Sequence, residues 1–407
     1  MTKAKILPRV FHPAFMISSA LAVAVLAPNV AFGAVSDLKV GGWIPYWQKT
    51  MGTESAIDNL EKIDTAHPFV FTVKSDGTLN DLGDIEGDVW EDFSAEAKKE
   101  NVEVIPSVMT SDGDMLHAIL SNPSLRQAHI DAIVEMVEDG NFDGVDIDYE
   151  GKRAVTNPFF SLFLLQLKVA LIQSGDKTLS CTIEPRTPPE SLYRDVPATL
   201  ERANDYTIIG VVCDRVQIMA YDQQRADIKL NEERKGEPYM PVADIDWVRK
   251  VAEYTVKEGI PKNKIMLGIP TYGYHYVVNV SPDWYRSYER IGALNLPDIE
   301  DVADDYDVEA GRLAGGELNY SYFPESSVFK ILNALPTPEG TRKGNEAAAK
   351  ALLFSNATGM DTQVRIVTYQ DAQAVQDKVK LADQLGFRGV VLFKIDGEED
   401  EDIWDLF

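Results

Sequence analysis

The stretch DGVDIDYE, residues 143–150, alternates acidic and apolar residues along its length. A period of two is typical of a β-strand, because successive side chains of a strand point to opposite faces. One face would carry three apolar side chains, and the other the carboxyl groups of Asp146, Asp148 and Glu150. The stretch therefore predicts a strand with one acidic face and one apolar face.

The same region also fits a calcium-loop pattern. Read from Asp139, the sequence matches D-x-[DN]-x-[DN]-G-x5-E, with Glu150 in the closing position. An EF-hand loop needs a helix on each side, and its exiting helix begins within the loop. Here the period-two pattern follows Gly144, and the next helical pattern begins only near Pro158. We therefore favour the strand and expect neither a metal site nor a cofactor.

Apolar, β-rich runs alternate with helical patterns along the rest of the chain. The runs that predict strands lie near 38–47, 67–73, 102–108, 142–150, 177–185, 211–222, 263–274 and 388–396. Near-continuous apolar strands in repeated βα units predict an α/β fold, the closed (β/α)8 TIM barrel. The alternative, an open doubly wound sheet, would need a glycine-rich phosphate turn after its first strand, and GGWIPYW is not such a turn.

Two segments fall outside this alternation. The segment of about 275–367 is too long for a loop and contains β-like runs. It predicts a small α+β lobe inserted between strand seven and the last helix. The catalytic domain as a whole is expected at 34–407. Residues 1–33 carry basic residues, an apolar run and small residues near Gly33, as signal peptides do. We expect cleavage after about Gly33 and a secreted or cell-envelope protein; an uncleaved anchor is the alternative. No later stretch is expected to cross a membrane.

The chain is acidic, and its charge limits the partners that it can bind. It has 39 Lys and Arg against 65 Asp and Glu, a net charge of −26. Such a surface repels nucleic acid and anionic membranes, so we expect no binding to either and regard a strongly anionic polymer as a less favoured substrate. We expect a monomer.

The two cysteines, Cys181 and Cys213, would meet oxidising conditions after export, which permit a disulfide. In the predicted strand five, Cys181 points outward. In the predicted strand six, Cys213 shares the parity of Gln217, which points inward. Strand parity therefore argues against a disulfide.

The acidic face of 143–150 has a chemical consequence inside a barrel. Barrel interiors are normally filled by branched apolar side chains, so neighbouring carboxyl groups there cannot all ionise. At least one proton is then shared, and the pKa of the outermost carboxyl rises. A carboxyl with a raised pKa at the carboxyl-terminal rim is suited to act as a general acid, which predicts that role for Glu150. A solvated acidic edge strand, the alternative, would not explain the apolar second face.

Several motifs together resemble glycoside hydrolase family 18, the chitinase-like enzymes. The pattern D-x-x-D-x-D-x-E of that family is filled by Asp143, Asp146, Asp148 and Glu150. QIMAYD, at 217–222, is similar to the family's M-x-Y-D motif in strand six, and GGWIPYW looks like its first strand. The C-terminal run 368–400 is similar to the branch that includes spore-cortex and cell-wall N-acetylglucosaminidases.

The resemblance implies a mechanism in which the substrate assists its own cleavage. Glu150 would protonate the glycosidic oxygen, and the 2-acetamido carbonyl of the sugar would attack the anomeric carbon, with retention of configuration. Asp148 would bind the acetamido N–H, Asp146 would hold a shared proton, and Tyr221 would donate a hydrogen bond to the acetamido oxygen. The substrate must then carry an N-acetyl group, as chitin, peptidoglycan and N-glycan cores do.

Other site candidates lie near the predicted strand ends. Those for substrate binding are Tyr46, Trp47, Glu184, Arg186, Met219, Asp222 and Phe393, while Asp143 and Gly144 are expected to be structural. Phe393 stands where the family commonly has a tryptophan under the scissile sugar, and it offers less stacking area. This departure supports the alternative of a non-catalytic carbohydrate-binding protein on the same barrel. The acid at Glu150 favours the glycosidase.

Overall fold

The computed structural model describes residues 38–407. Its strands are, in chain order, β1 (Lys39–Pro45), β2 (Thr65–Val73), β3 (Leu79–Asp81), β4 (Glu103–Val104), β5 (Ser107–Thr110), β6 (Gly144–Tyr149), β7 (Thr178–Ile183), β8 (Arg215–Ile218), β9 (Ile265–Pro270), β10 (Gly273–Ser281), β11 (Trp284–Leu294), β12 (Gly311–Arg312), β13 (Leu318–Tyr322), β14 (Thr362–Tyr369) and β15 (Gly389–Phe393). Its α-helices are α1 (Lys49–Asp58), α2 (Asp88–Lys99), α3 (Gly113–Ser121), α4 (Pro123–Asp139), α5 (Asn157–Gln173), α6 (Pro189–Leu192), α7 (Tyr206–Val212), α8 (Ile228–Glu233), α9 (Ile245–Lys257), α10 (Leu296–Asp305), α11 (Ser327–Asn333), α12 (Glu346–Thr358) and α13 (Ala372–Leu385).

Eight parallel strand positions close into a barrel, which confirms the predicted fold class. Around the ring they follow the order β1, β2, β4 with β5, β6, β7, β8, β9 and β15. Strand β1 pairs with both β2 and β15, and this double pairing closes the sheet. Strands β4 and β5 are two halves of one barrel strand, separated by Ile105 and Pro106, because a proline cannot donate to the ladder.

Glycine is required where two barrel strands begin close to a neighbour. A Cβ at Gly144 would lie 2.1 Å from the carbonyl oxygen of Thr178 on β7. A Cβ at Gly389 would lie 1.9 Å from the carbonyl oxygen of Lys39 on β1. Both distances are too short for a side chain, so these glycines permit the close strand approach that starts β6 and closes the barrel.

A second sheet is inserted between β9 and α13. It is antiparallel, with the order β11, β10, β14, β13, β12, and α10, α11 and α12 belong to the same insertion. Its core is built from Ile299, Tyr320, Tyr322, Val367 and Tyr369. The insertion begins at β10 and ends with β14, so it is slightly longer at both ends than the segment of about 275–367 expected from the sequence.

The segment Ala154–Gln173 corrects an expectation about membrane spans. By length and composition it could cross a membrane, with a mean hydropathy of 1.6, although no stretch after residue 33 was expected to do so. In the fold this segment contains α5, which packs against α3, α4 and α7 on the outside of the barrel and buries Phe163 and Leu167. The predicted signal peptide at 1–33 lies outside the described residues.

The strand-parity argument against a disulfide is wrong, because Cys181 and Cys213 form one. The parity argument assumed that Cys213 belongs to strand six, but β8 begins only at Arg215. Cys213 instead caps the end of α7 in an extended conformation. From this position it meets Cys181, whose side chain is buried and points from β7 toward the helical layer.

Candidate active site

Strand β6 separates its acidic and apolar side chains between the inside and the outside of the barrel. Tyr149 packs outward against His129 of α4 and Phe163 of α5, and its hydroxyl is hydrogen-bonded to His129. Asp146 and Asp148 are buried on the inner face. Because β6 is paired on both sides, with β5 and β7, this segment cannot be the loop and exiting helix of an EF-hand.

Asp146 accepts three hydrogen bonds from three barrel strands. The indole Nε1 of Trp43 lies 3.2 Å from Oδ2, the hydroxyl of Ser107 lies 2.7 Å from Oδ2, and the hydroxyl of Thr182 lies 2.8 Å from Oδ1. Because both of its oxygens accept, Asp146 is held in one orientation by donors from three other strands.

Asp148 is the carboxyl group with the strongest reason to be protonated. Burial holds its pKa well above its usual value, and the negative charges of Glu150 and Asp146 raise the pKa further. Its Oδ1 is buried and has no hydrogen-bond partner among residues 38–407. A buried polar atom without a partner is costly, so Asp148 is prepared to bind a group that enters the cleft.

Glu150 directly follows β6 and is half-buried at the carboxyl-terminal rim. Burial raises its pKa, and the charges of Glu184 and Asp222 raise the pKa further, whereas Lys152 lowers it. Lys152 and Glu184 form an ion pair of 3.4 Å, and Glu184 also accepts a 2.8 Å hydrogen bond from Asn204. The structure thus brings Glu184 into the electrostatic environment of Glu150.

An aromatic cluster lies beside these acids. The ring of Tyr221 stacks on Phe393, with centroids 5.4 Å apart and planes 15° apart. Phe393 also contacts the edges or faces of three further rings, those of Trp43, Phe69 and Tyr272. Sequence reasoning missed these three residues, although the strand alternation in GGWIPYW would have placed Trp43 on the inner face.

The predicted pair Tyr46 and Trp47 lies at the rim of the cleft, in a short 3-10 turn after β1. Their rings are in contact at 5.0 Å, and Trp47 contacts Phe69 at 6.1 Å. Trp47 is 48% exposed, so its ring is available to an incoming ligand. Met219, by contrast, is buried just beyond the end of β8.

Asp222 is held by two tyrosines that sequence reasoning did not single out. The hydroxyls of Tyr272 and Tyr274 donate to the same oxygen of Asp222, at 2.5 Å and 2.6 Å. Asp222 itself is exposed and has a φ of +58°, a left-handed conformation that asparagine and aspartate tolerate better than most residues. The residues TYGY at 271–274 contain the signal, because their tyrosines follow a barrel strand.

Arg186 and Asp143 serve other parts of the barrel. Arg186 is paired with Glu258 at 3.2 Å, and its guanidinium lies over the ring of Tyr206; none of its hydrogen bonds reaches the acidic cluster. Asp143 accepts a 2.8 Å hydrogen bond from the backbone N–H of Val104, which ties the start of β6 to β4.

Comparisons with known proteins show the family of this chain and support its fold. The model of glycosyl hydrolases family 18 matches residues 40–398. YdhD of Bacillus subtilis (strain 168) is 32% identical over 177 residues, which is 43% of this chain but only 38% of the length of YdhD.

Two solved structures share the fold. The spore cortex-lytic enzyme SleL of Bacillus cereus superposes with a TM-score of 0.66 at 19% identity, covering 91% of this chain and 73% of SleL. A chitinase from Chromobacterium violaceum has a TM-score of 0.64 at 19% identity, covering 91% of this chain and 98% of the chitinase. At this level of identity the two structures support the barrel architecture alone.

Proposed function

Because the chain belongs to glycosyl hydrolases family 18 and is therefore a glycosidase, we propose that it is a retaining enzyme that cleaves β-linked N-acetylglucosamine polymers. The observation that carries this proposal is the pair of Asp148 and Glu150. Asp148 is a buried carboxyl with a raised pKa, and its Oδ1 has no hydrogen-bond partner among residues 38–407. Glu150 is a half-buried carboxyl with a raised pKa at the cleft rim.

In the proposed reaction, Glu150 donates its proton to the glycosidic oxygen as the bond breaks. The 2-acetamido carbonyl oxygen of the same sugar attacks the anomeric carbon and forms an oxazolinium intermediate. Asp148 accepts a hydrogen bond from the acetamido N–H through its buried Oδ1, which orients the acetamido group for attack. Water then attacks the anomeric carbon and gives one proton to Glu150, while the bond from that carbon to the acetamido oxygen breaks. This step restores the acid and the acetamido group and retains the configuration.

The surrounding residues would position the sugar for this step. Tyr221 has a pKa held well above its usual value by burial, so its hydroxyl remains a donor for the acetamido oxygen. The stacked ring of Phe393 forms the apolar floor. Asp222, held by two tyrosines, offers its free oxygen to a sugar hydroxyl.

The substrate class and the location are parts of the same proposal. The structural neighbours include a chitinase and a spore cortex-lytic enzyme, as their names state. An N-acetylglucosamine polymer of chitin or peptidoglycan is consistent with both. Secretion to the medium or the cell envelope rests on the signal peptide predicted at 1–33. We propose that the enzyme acts as a monomer.

The substitution Glu150→Gln tests the proposal. It should reduce the turnover of a chromogenic N,N′-diacetylchitobioside by about a hundredfold to ten-thousandfold, because general acid catalysis is lost. The melting temperature, measured on the same preparation, should stay near that of the wild type.

Two results would contradict this mechanism. Equal cleavage of a simple glucoside and its N-acetyl analogue would exclude assistance by the acetamido group. Binding of chito-oligomers by the wild type without any release of product would favour the carbohydrate-binding alternative.

A further inference from the structure

Helix α5 carries two apolar faces, although it lies on the outside of the barrel. Its inner face is buried and is formed by Phe160, Phe163, Leu164, Leu167 and Leu171. The outer face of a surface helix is normally polar, because it is in contact with water. In α5, however, five of the six exposed residues are apolar, and Gln173 is the exception.

The exposed apolar residues follow a regular spacing. Together with Val155, in the turn that precedes α5, they lie alternately three and four residues apart, which is the spacing of side chains that pack one helix against another. This outer stripe consists of Val155, Pro158, Leu162, Leu165, Val169 and Ile172. At 1.5 Å per residue it is about 25 Å long. The exposed fractions of its valine, leucine and isoleucine residues lie between 39% and 54%.

The outer stripe is also free of charge. On α9, by comparison, the exposed residues are all charged; they are Asp246, Glu253 and Lys257. Helix α5 contains no carboxylate, and its one charged residue, Lys168, is paired with Asp214 at 2.7 Å. The carboxylate of Glu138, on α4, accepts a hydrogen bond from Ser174 just beyond the end of α5. The stripe is therefore an uncharged surface on a chain whose net charge is −26.

A lipid surface is a poor match for the outer stripe. Helices that lie in the membrane interface carry several Lys and Arg residues beside the apolar face and Trp or Phe residues within it. Helix α5 has a single lysine, which is already paired, and its phenylalanines are buried or half-buried. The acidic surface of the chain also opposes its approach to an anionic membrane.

A second copy of the chain matches the outer stripe better. A two-fold interface brings the same surface of both copies together, so that surface must be complementary to itself. The alternating spacing meets this condition, because the side chains of one helix fit between those of an identical helix. Ser161, Gln166 and Gln173 flank the stripe with uncharged polar groups. An apolar core with a polar rim is the usual composition of a protein interface.

The neighbouring helix α7 adds apolar surface. A standard interface buries about 800 Å² on each partner, which is more than one helix face supplies. Helix α7 packs against α5, and its Val211 is 72% exposed. The outer stripe and Val211 together would supply the apolar core of such an interface, and the polar residues around them would supply the rest of the area.

We propose that two copies of the chain associate about a two-fold axis through the outer stripe of α5. This proposal revises the expectation that the chain stays monomeric in solution. Every residue of the candidate active site belongs to a single chain, so each copy remains the catalytic unit proposed above. The association does not depend on the proposed reaction.

Sedimentation equilibrium over a range of protein concentrations tests the proposal. The wild type should reach twice the mass of one chain in the micromolar range, at the weak end for an interface of standard size. Replacing Leu165 and Val169 together by glutamate should raise the dissociation constant at least about a hundredfold, because the two-fold axis brings four carboxylates into one apolar contact. Both residues are exposed in the single chain, so chitobioside turnover in dilute solution should not change.

A cysteine cross-link provides a second readout at the same surface. The two native cysteines are paired with each other, so Leu165→Cys introduces the one free thiol of the chain. Leu165 lies near the middle of the outer stripe, where a two-fold axis brings it close to its own copy. Mild oxidation should therefore yield a covalent dimer. Ile331→Cys, at an exposed isoleucine on α11 of the lobe, should yield none.

The matched control in the sedimentation experiment is Ile331→Glu, which should leave the association unchanged. A wild type that is monomeric at all concentrations, or a dimer that persists in the double glutamate variant, would overturn the proposal. So would a monomeric wild type that floats with phosphatidylcholine vesicles when the double variant does not, because lipid would then be what binds the stripe. If the wild type cleaves no substrate, the proposed function fails, while the mass measurement still decides the association.

Discussion

The pKa of Glu150 depends on two neighbours, Glu184 and Lys152, that carry charges opposite to each other. Glu184, one residue beyond the end of β7, raises the pKa of Glu150, and the buried Lys152 lowers it. The two neighbours are also paired with each other, so each partly cancels the effect of the other. The fraction of Glu150 that is protonated at neutral pH therefore depends on this ion pair as well as on burial.

The substitution Glu184→Gln tests this control. It removes a negative charge near Glu150 and leaves Lys152 unopposed, so the pKa of Glu150 should fall. Glu150 would then lose its proton at a lower pH, and the alkaline limb of the kcat/KM profile should move to lower pH. The measurement is a pH profile of chitobioside cleavage for both proteins.

Glu253→Gln provides the control, because Glu253 is an exposed carboxylate on α9. It should leave the profile unchanged. An alkaline limb that stays in place, or moves to higher pH, in Glu184→Gln would contradict the electrostatic role of Glu184.

At the residue scale, sequence alone could predict which acids point inward, because alternation within one strand determines the face of each side chain. It could not predict that Asp146 accepts from Trp43, Ser107 and Thr182, since those donors come from three other strands. The hydrogen bond from Tyr272 to Asp222 was missed for the same reason. Contacts between strands depend on register, which a local pattern does not contain.

At the scale of elements, the eight strands were predictable because buried parallel strands are apolar along most of their length. Their ends were not. The apolar run at 211–222 continues from α7 through β8, and an apolar run alone does not distinguish helix from strand. This ambiguity at Cys213 is what led strand parity to the wrong conclusion about the disulfide.

The disulfide links β7 to the end of α7 across 32 residues of sequence. A cross-link that closes a loop of this length restricts the unfolded chain and should contribute about 3 to 4 kcal/mol to the free energy of unfolding. The double substitution Cys181→Ala and Cys213→Ala should therefore lower stability in urea denaturation by about that amount.

Both cysteines are buried, so their replacement also removes packing. The reduced wild-type protein separates the two effects, because it keeps the side chains and loses only the bond. Reduced wild type should lose about 3 to 4 kcal/mol relative to the oxidised protein, and the double variant should lose at least as much. A reduced protein as stable as the oxidised one would show that the bond does not stabilise this fold.

At the scale of the whole molecule, a buried polar network joins the inserted lobe to the barrel. Glu317 precedes β13 of the lobe, and its Oε1 accepts from the backbone N–H of Ala243 at 2.6 Å and from the amide of Gln370. Lys378 on α13 donates to Gln370 at 2.7 Å. Both Glu317 and Lys378 are fully buried. The lobe and the barrel therefore each contribute one charged side chain to the same buried network.

The charges of this network compensate each other. Burial raises the pKa of Glu317, and Lys378 opposes that rise; burial likewise lowers the pKa of Lys378, and Glu317 opposes that fall. Removing one charge while leaving the other buried is much more costly than removing both. The network was not predictable from the sequence, because its members lie on elements far apart in the chain.

The substitution Lys378→Met should therefore destabilise the protein by about 3 to 5 kcal/mol at pH 8, measured by urea denaturation. Without the lysine, the pKa of Glu317 rises further above its value in the unfolded chain. When folding raises the pKa of a carboxyl, the protein becomes less stable as the pH rises. The destabilisation caused by Lys378→Met should therefore be smaller at pH 5, where folded Glu317 keeps its proton. Adding Glu317→Gln should recover most of the loss at pH 8. Lys39→Met, at an exposed ion pair with Asp64, is the control and should cost less than about 1 kcal/mol. An equal loss at both pH values, or a double variant no more stable than Lys378→Met, would show that charge compensation does not hold the lobe to the barrel.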